Sequence, residues 1–406
     1  MTVVGLLDQL TDIGRNPASG GYDRTAWTAA DSQCRDWFRQ QAQALGLDTE
    51  LDRNGNLWAW WRGDASGTAL VLGSHLDSVP SGGAFDGPLG IASAFAAIGT
   101  LQRDGVVPVR PVAVVAFADE EGARFGVACT GSRLMTGALN AESARGLVDV
   151  DGVTLPEAMA AAGADATHLG ADPERLARTG EFIELHIEQG HLPTGGGAHG
   201  LNQAGSPLGL ATGIWPHGRW RVDVTGQQNH AGTTPLADRD DPMLGLADVI
   251  LAVRAAAEAA GALATVGKVA VHPGAVNAIP GRASAWIDAR AADDQAVRRV
   301  IDDVVSRTAL VAVEESWTAP TPFDTALVNG LAEQLLAATG RELPRLPSGA
   351  GHDAGVLALA GIPSAMILVR NPTGISHAPE EFADEADCAA GVMALAAVIR
   401  ARAGQA

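Results

Sequence analysis

Short apolar, β-branched runs alternate along the chain with longer stretches in which apolar residues recur at helical spacing. Leu6, Leu7, Leu10 and Ile13 form the first such stripe. Asp31 is placed to cap a helix carrying Trp37, Phe38, Ala42 and Leu45, with Gly46 as its stop. "TALVLGSH" and "PVAVVAFADEE" read as buried strands, and "IASAFAAIGTLQRDG" between them as the right-handed crossover of a βαβ unit. "EFIELHIEQG" (181–190) and "PSAMILVRNPTGISH" (363–377) repeat the arrangement, an apolar strand followed by histidine near its end. These runs predict a mainly parallel sheet. In open sheets of that kind, ligands bind beyond the carboxyl ends of the strands, where the polar clusters of this chain fall.

The rhythm changes midway. Residues 141–180 are Ala-rich and acidic and predict surface helices and turns. "PTGGGAHGLNQAGSPLG" (193–209) lacks the lysine of a phosphate loop and reads as a hinge and domain boundary. Strand "GRWRVDVTG", helix "DPMLGLADVILAVRAAAEAAG", strands "ATVGKVAVHPG" and "RASAWIDARA", helix "DDQAVRRVIDDVVSRT" and strand "VAVEESW" follow in β-α-β-β-α-β order. That order suggests a ferredoxin-like insert. The predicted fold is α/β: a mainly parallel-sheet catalytic domain built from residues 1–208 and 318–406, with an inserted ferredoxin-like α+β domain at 209–317. A length of 406 residues agrees, being too great for one hydrophobic core.

Charge narrows the partners. A formal net charge of −19 disfavours non-specific attachment to nucleic acid or to an anionic membrane. Cys34, Cys129 and Cys388 lie far apart with no CxxC, which fits a reducing cytoplasm. "MTVVGLLDQLTDIG" has no basic stretch or cleavage signal and is not read as a secretory leader. No uninterrupted apolar stretch reaches the length of about eighteen residues that a membrane helix needs.

His75, Asp86, Glu121, His186 and His377 each follow a strand-like run or a Gly-rich turn. Three imidazoles and two carboxylates suit two divalent ions of borderline softness, with Asp86 as the bridge. Asp77, two residues past His75, is placed to accept that histidine's other ring N–H and fix its tautomer. Glu120 and Glu121 diverge at a strand end, so one can ligate metal while the other serves as a base. Taken singly, an HxD or a Glu-Glu pair is more often a solvated turn; the set at successive strand ends of one sheet is what points to metal.

The motifs "GSHLDSV…GGAFDGPLG", "FADEEGARFG…GS", "ELHIEQG", "GQQNHAGTTP…RDD", "VNAIPG…DAR", "SGAGHDA" and "GISHAPEE" occur in this order along nearly the whole chain. Together they resemble the amidase branch of the aminoacylase/carboxypeptidase-like dinuclear metallohydrolases, which holds N-carbamoyl-L-amino-acid hydrolases, allantoate amidohydrolases and β-ureidopropionase relatives. The resemblance implies metal ligation by His75, Asp86, Glu121, His186 and His377, with Glu120 as general base and Asp77 in support. It implies that His230 in "NHAG" stabilises the transition state, reaching the site from the smaller domain of a partner subunit. Gln189, His230, Asn277 and Arg290 match substrate-holding positions, and Gly351 of "GAGHDA" is a further member. His191 stands where the branch usually has proline, and "GQQNH" carries a second Gln where alanine is common; neither touches an implied ligand.

The activity so implied is hydrolysis of linear C–N amide bonds in carbamoyl or ureido compounds bearing a carboxylate. N-carbamoyl-L-amino acids come first, then allantoate or another ureide, then N-acyl or amide conjugates of amino acids on the same site. The cofactors implied are two divalent ions per subunit, zinc first, with manganese, cobalt or nickel also suited to these ligands. The implied assembly is a homodimer formed through the inserted domain, which also acts as a lid. His168, His191, His199, His217 and His272 have no partner pattern and read as structural or exposed. His352 and Asp353 read as shaping the loop beside the metals, and the Trp60-Trp61 and Trp215/Trp220 pairs as packing.

Overall fold

In the computed structural model, which describes residues 2–61 and 66–404, the buried apolar runs become strands of two separate sheets. The chain divides into two compact units, Met1–Ile214 with Pro322–Ala406, and Trp215–Thr321. The first unit carries β1 (Asp48–Leu51), β2 (Leu57–Trp61), β3 (Ala69–His75), β4 (Val112–Phe117), β5 (Thr179–Ile187) and β6 (Leu208–Ile214). The second carries β7 (His217–Thr225), β8 (Asn229–His230), β9 (Leu263–His272), β10 (Ala278–Ile279), β11 (Arg282–Arg290) and β12 (Ala312–Thr318). The junction strand β13 (Thr321–Pro322) leads back to β14 (Arg345–Ser348) and β15 (Ser364–Val369).

The large sheet runs β1-β2-β4-β3-β5-β15-β6-β13, with β14 beside β6. Its centre is parallel, β4 to β3, β3 to β5 and β5 to β15, so His75 and the ends of β4, β5 and β15 point the same way. All seven residues of β3 are buried, as a strand covered on both faces requires. The helix Pro88–Arg103 that links β3 to β4 is apolar almost all round. It packs against the helix Glu385–Ala403 and covers β3 and β5. Burial on that scale holds the strand ends rigidly, and a precise constellation at those ends depends on such support.

The second unit is antiparallel throughout, in the order β12-β7-β11-β9. Counted along the chain, that is fourth, first, third, second, with helices Pro242–Ala260 and Asp294–Thr308 packed on it. This is the ferredoxin-like order expected from the β-α-β-β-α-β pattern. Its core is its own, built on Trp220, Val222, Val249, Val253, Ile287 and Val300 among others.

Three local expectations shift. The insert begins at Trp215 and ends at Thr321, not at 209 and 317, because "LGLATGI" pairs as β6 with β15 and β14 in the large sheet. The Gly-rich stretch 193–209 is therefore no boundary; it contains the short helix Gly200–Ala204 and stays within the first unit. Thr28, not Asp31, caps the helix Ala29–Ala44, while Asp31 turns back to accept the amide of Trp27 at 2.8 Å. The segment 141–180 folds as short helices over a small core of Leu134, Leu155, Ala158 and Met159. Trp60 stacks on Trp58, and Trp220 lies against Trp317. Among the described residues, no helix is long and apolar enough to cross a membrane.

Candidate metal centre

Four segments of the first unit converge on Asp86. His75 ends β3, and its Nε2 lies 3.3 Å from Asp86 Oδ1. His186, on β5, brings its Nε2 to 3.2 Å from the same oxygen. The other oxygen, Oδ2, faces His377 Nε2 at 3.5 Å, and that nitrogen lies 3.5 Å from Glu121 Oε2. Two donor sets result, His75–Asp86–His186 and Asp86–Glu121–His377, each with its ligand atoms within 4.8 Å of one another. The first set is buried, whereas the His377 side chain is 48% exposed, so the pair of sets runs from floor to mouth. A third group, Glu184–His186–His352, shares His186. Both Glu184 oxygens are already engaged, by the Ser74 hydroxyl at 2.9 Å and the Ala354 amide at 3.1 Å.

Backbone geometry places these groups. Gly87 precedes the helix Pro88–Arg103 at φ +84°, and a Cβ there would sit 2.5 Å from the His75 ring, so only glycine allows the Asp86 loop this close. After β4, Asp119 adopts φ +54°, and His377 adopts φ +57°; left-handed backbone at non-glycine residues costs free energy and gathers at functional sites.

The tautomers are set by main-chain carbonyls. His75 Nδ1 lies 3.0 Å from the Asp77 carbonyl, and His186 Nδ1 lies 2.8 Å from that of Ile187. Each Nδ1–H donates there, which turns Nε2 toward Asp86. Both Nε2 atoms are buried without a hydrogen-bond partner of good geometry. The Asp77 carboxylate does a different job from the one expected: Oδ1 lies 3.8 Å from His75 Nδ1, while Oδ1 and Oδ2 accept the amides of Glu120 and Glu121 at 3.2 and 3.1 Å. Asp77 thus folds the turn that presents the two glutamates, since two amide donors aimed at one carboxylate are better partners than a ring at 3.8 Å.

The electrostatics ask for cations. Burial pushes Glu120 well above the usual carboxylate range, with Asp353, Glu121 and Asp77 adding to it against His75. Burial and Asp86 bring Glu121 to about 8. Burial works against charge on His75, yet Glu120, Asp86 and Asp77 together hold its pKa well above ordinary; His186, likewise opposed by burial and raised by Asp86, reaches about 9. Burial opposes charge on Asp86 too, but His186 and His75 pull it well below the carboxylate range. Among the described residues, the ion-pair partners of Asp77, Asp86, Glu120 and Glu121 are histidines. Buried carboxylates at this density with orphaned imidazole nitrogens match the donor set of divalent ions.

The other expected residues fall into two places. Gln189 enters the cluster, its Nε2 donating to Asp86 Oδ2 at 2.8 Å and to Ser376 Oγ at 3.1 Å. Gly351 stands just before the helix Asp353–Leu359, whose N-cap residue His352 packs edge-on to His186 with ring centres 4.5 Å apart. His230, Asn277 and Arg290 belong to the second unit. His230 pairs with Ala278 across the small β8–β10 ladder, and the Ala231 amide donates to the Asn277 carbonyl at 3.0 Å, so these two are neighbours. Arg290 is at the far end of the nine-residue β11, which spans about 27 Å at the usual rise per residue. Sequence reasoning missed Glu184, Cys129, Ser376 and Glu381. Glu184 was readable, being two residues before His186 on one strand and hence on the same face. Cys129 donates its thiol to Glu120 Oε1 at 3.5 Å, a contact with no sequence signal.

A parallel sheet that gathers two carboxylate–imidazole sets around a shared aspartate, with a ferredoxin-like unit inserted in the chain, defines a class of two-part α/β enzyme. The chain belongs to peptidase family M20/M25/M40, whose model matches residues 71–401, and it is a hydrolase acting on amide bonds. It is similar to an N-carbamoyl-L-amino acid amidohydrolase of Geobacillus stearothermophilus, with 35% identity over 96% of this chain and 95% of the relative. An allantoate amidohydrolase of Escherichia coli (strain K12) is 32% identical over 97% of this chain and 95% of its own length. The crystal structure of an amidase of the hydantoinase/carbamoylase family from Burkholderia vietnamiensis matches with a TM-score of 0.87 at 31% identity, covering 99% of this chain and 97% of that one.

Proposed function

We propose that the chain is a binuclear metal-dependent amidohydrolase that converts N-carbamoyl-L-amino acids to the amino acid, CO2 and ammonia. The observation that carries this reading is the pair of donor sets sharing Asp86, with Glu120 beside them and outside both. His75, Asp86 and His186 would hold one ion, and Asp86, Glu121 and His377 the other; zinc suits these donors, as do manganese, cobalt and nickel. When bound, such ions supply Lewis acidity to the substrate oxygen and bring the pKa of a water to about 7.

The remaining chemistry belongs to the protein. A ureido carbon is resonance-stabilised by both nitrogens and is a poor electrophile, so the attacking water must be deprotonated and the departing nitrogen protonated. Glu120 takes the water's proton and delivers it to that nitrogen. Its carboxylate lies outside both donor sets, with Oε2 3.8 Å from His75 Nε2, so it is free to carry that proton from one step to the next. Arg290 binds the substrate carboxylate with its planar fork, oriented by Asp288, to which Nε and Nη2 donate at 2.7 and 3.0 Å. Gln189 and Asn277 hold the polar ends of the substrate, the Gly351 loop lines it, and His230 donates to the oxygen as charge develops.

Arg290 and the His230–Asn277 pair stand at opposite ends of β11, too far apart for one small substrate to touch both within one copy of the unit. Two copies resolve this: one subunit supplies Arg290 and its partner His230 and Asn277. Dimerisation through this unit is supported by its exposed apolar residues, Leu244 at 71% and Leu251 at 68%, on the helix Pro242–Ala260, which packs against β9, the outermost strand of this sheet among the described residues. The proposed location is the cytoplasm, in keeping with three free, buried cysteines. Allantoate is the second reading, favoured by the Escherichia coli relative. Ammonia release from carbamoyl amino acids and allantoate, set beside release of the free amino acid from N-acyl amino acids, tests the assignment, with chelation expected to abolish turnover and Zn2+, Mn2+ or Co2+ to restore it. Release from none of the ureido substrates, or full turnover in protein shown to be metal-free, would reject it.

A further inference from the structure

One buried carboxylate stands behind the cluster and takes no part in either donor set. Glu381 is 4% exposed, and its Oε1 accepts the amides of Phe85 and Asp86, each at 2.9 Å. Its Oε2 lies 3.1 Å from the Ser376 hydroxyl, which is also 3.1 Å from Asp86 Oδ2. The single hydroxyl hydrogen is thus shared between the bridging carboxylate and Glu381. Gly83 makes room for the contact, since a Cβ there would fall 2.2 Å from Glu381 Oε1. Phe85 and Phe382 close over the same junction edge to face, with ring centres 6.3 Å apart.

The two donor sets depend on this junction unequally. His75 and His186 sit on adjoining elements of the central sheet and are oriented by carbonyls of their own strand ends. The outer set needs Asp86 Oδ2 and His377, which come from loops about 290 residues apart in sequence, and His377 is half exposed. We propose that Glu381 is a positioning residue that holds the Asp86 loop against the His377 loop and thereby forms the outer cation position. It acts through Asp86 and Ser376 and touches no reacting atom. Buried groups that orient metal ligands typically change metal affinity 10- to 100-fold when removed, by roughly the same logic as a ligand's own hydrogen bonds.

This inference rests on the binuclear reading, and Mn2+ alone is a probe that separates the two. Equilibrium dialysis with elemental analysis counts the ions, and electron paramagnetic resonance distinguishes a coupled pair from an isolated ion. The wild-type chain should take Mn2+ at both positions and show the coupled spectrum. Glu381→Ala should keep the inner ion, bind the outer one about 10- to 100-fold more weakly, and show the isolated spectrum at limiting metal. Glu381→Gln should restore the pair, because its oxygen can accept both amides while its NH2 donates to Ser376. Ser376→Ala, which removes one partly buried hydroxyl and no charge, should weaken the same outer position, and it decides the matter if the alanine variant at 381 does not fold. Native affinity at both positions in Glu381→Ala or Ser376→Ala, or equal loss of both ions, would overturn the inference while the binuclear reading stands. A wild-type chain that binds no Mn2+ would remove both.

Discussion

Asp77 accepts the amide N–H of Glu120 at 3.2 Å through one carboxylate oxygen, while its other oxygen accepts the amide of Glu121 at 3.1 Å. A single side chain therefore sets the direction of two glutamates with different tasks, one proposed as the base and one as a ligand. Asp77→Asn keeps the volume but turns an acceptor into a donor that faces an amide donor. The turn should loosen, turnover should fall at least about tenfold, and metal affinity should drop within the 10- to 100-fold range seen for such supporting groups. Steady-state kinetics and metal titration check this; native values for both would show that the turn holds without Asp77.

Glu120→Gln separates the two glutamates. The amide keeps the shape and cannot accept a proton, so turnover should fall by roughly 10² or more. Elemental analysis should still find both ions, because Glu120 lies outside both donor sets. Near-native turnover, or loss of the metals, would mean that Glu120 and Glu121 have exchanged roles.

The strands that end in chemistry were legible because a fully buried parallel strand is a continuous apolar run, and a polar cluster after it must lie at the sheet's end. His75, Asp86, Glu121, His186 and His377 stood out on that basis and do come together around Asp86. The insert's boundary was not legible, since "LGLATGI" would suit an edge of either sheet and only its pairing with β15 and β14 assigns it. The true partner of His75 Nδ1 is a main-chain carbonyl, which carries no residue identity. Glu381 was invisible for a related reason: its partners are two amides and a serine hydroxyl, types found in any loop.

Metal uptake should depend on pH in a stated direction. Burial disfavours the imidazolium of His186, but Asp86 holds it to a pKa of about 9, so at neutral pH the cation-free ring carries a proton. A metal needs the Nε2 lone pair, and binding must expel that proton. Apparent affinity should therefore rise with pH up to about 9 and fall on acidification, by about tenfold per pH unit for each proton expelled. Calorimetry of Zn2+ binding in buffers of different ionisation enthalpy counts the protons. Binding that releases none at pH 7 would contradict a protonated His186.

The placement of His230 makes the sharpest demand on the assembly. It pairs with Ala278 on a two-residue ladder, is exposed, and lies beyond the end of β11 opposite Arg290. If each site takes Arg290 from one subunit and His230 from the other, His230→Ala should lower turnover by about 10² to 10³, the usual effect of losing one oxyanion donor. Glu120→Gln is nearly inactive for a different reason, so the two variants can complement each other. In a mixed dimer, one site receives both defects and the other receives neither. Equal mixing with free exchange makes half of the dimers mixed, each with one intact site, so about a quarter of native activity should return. If His230 serves its own subunit, every site in every dimer keeps a defect and mixing restores nothing. That second outcome, with subunit exchange verified by tagged copies, would refute donation across the dimer and leave the Asp86 centre as it is.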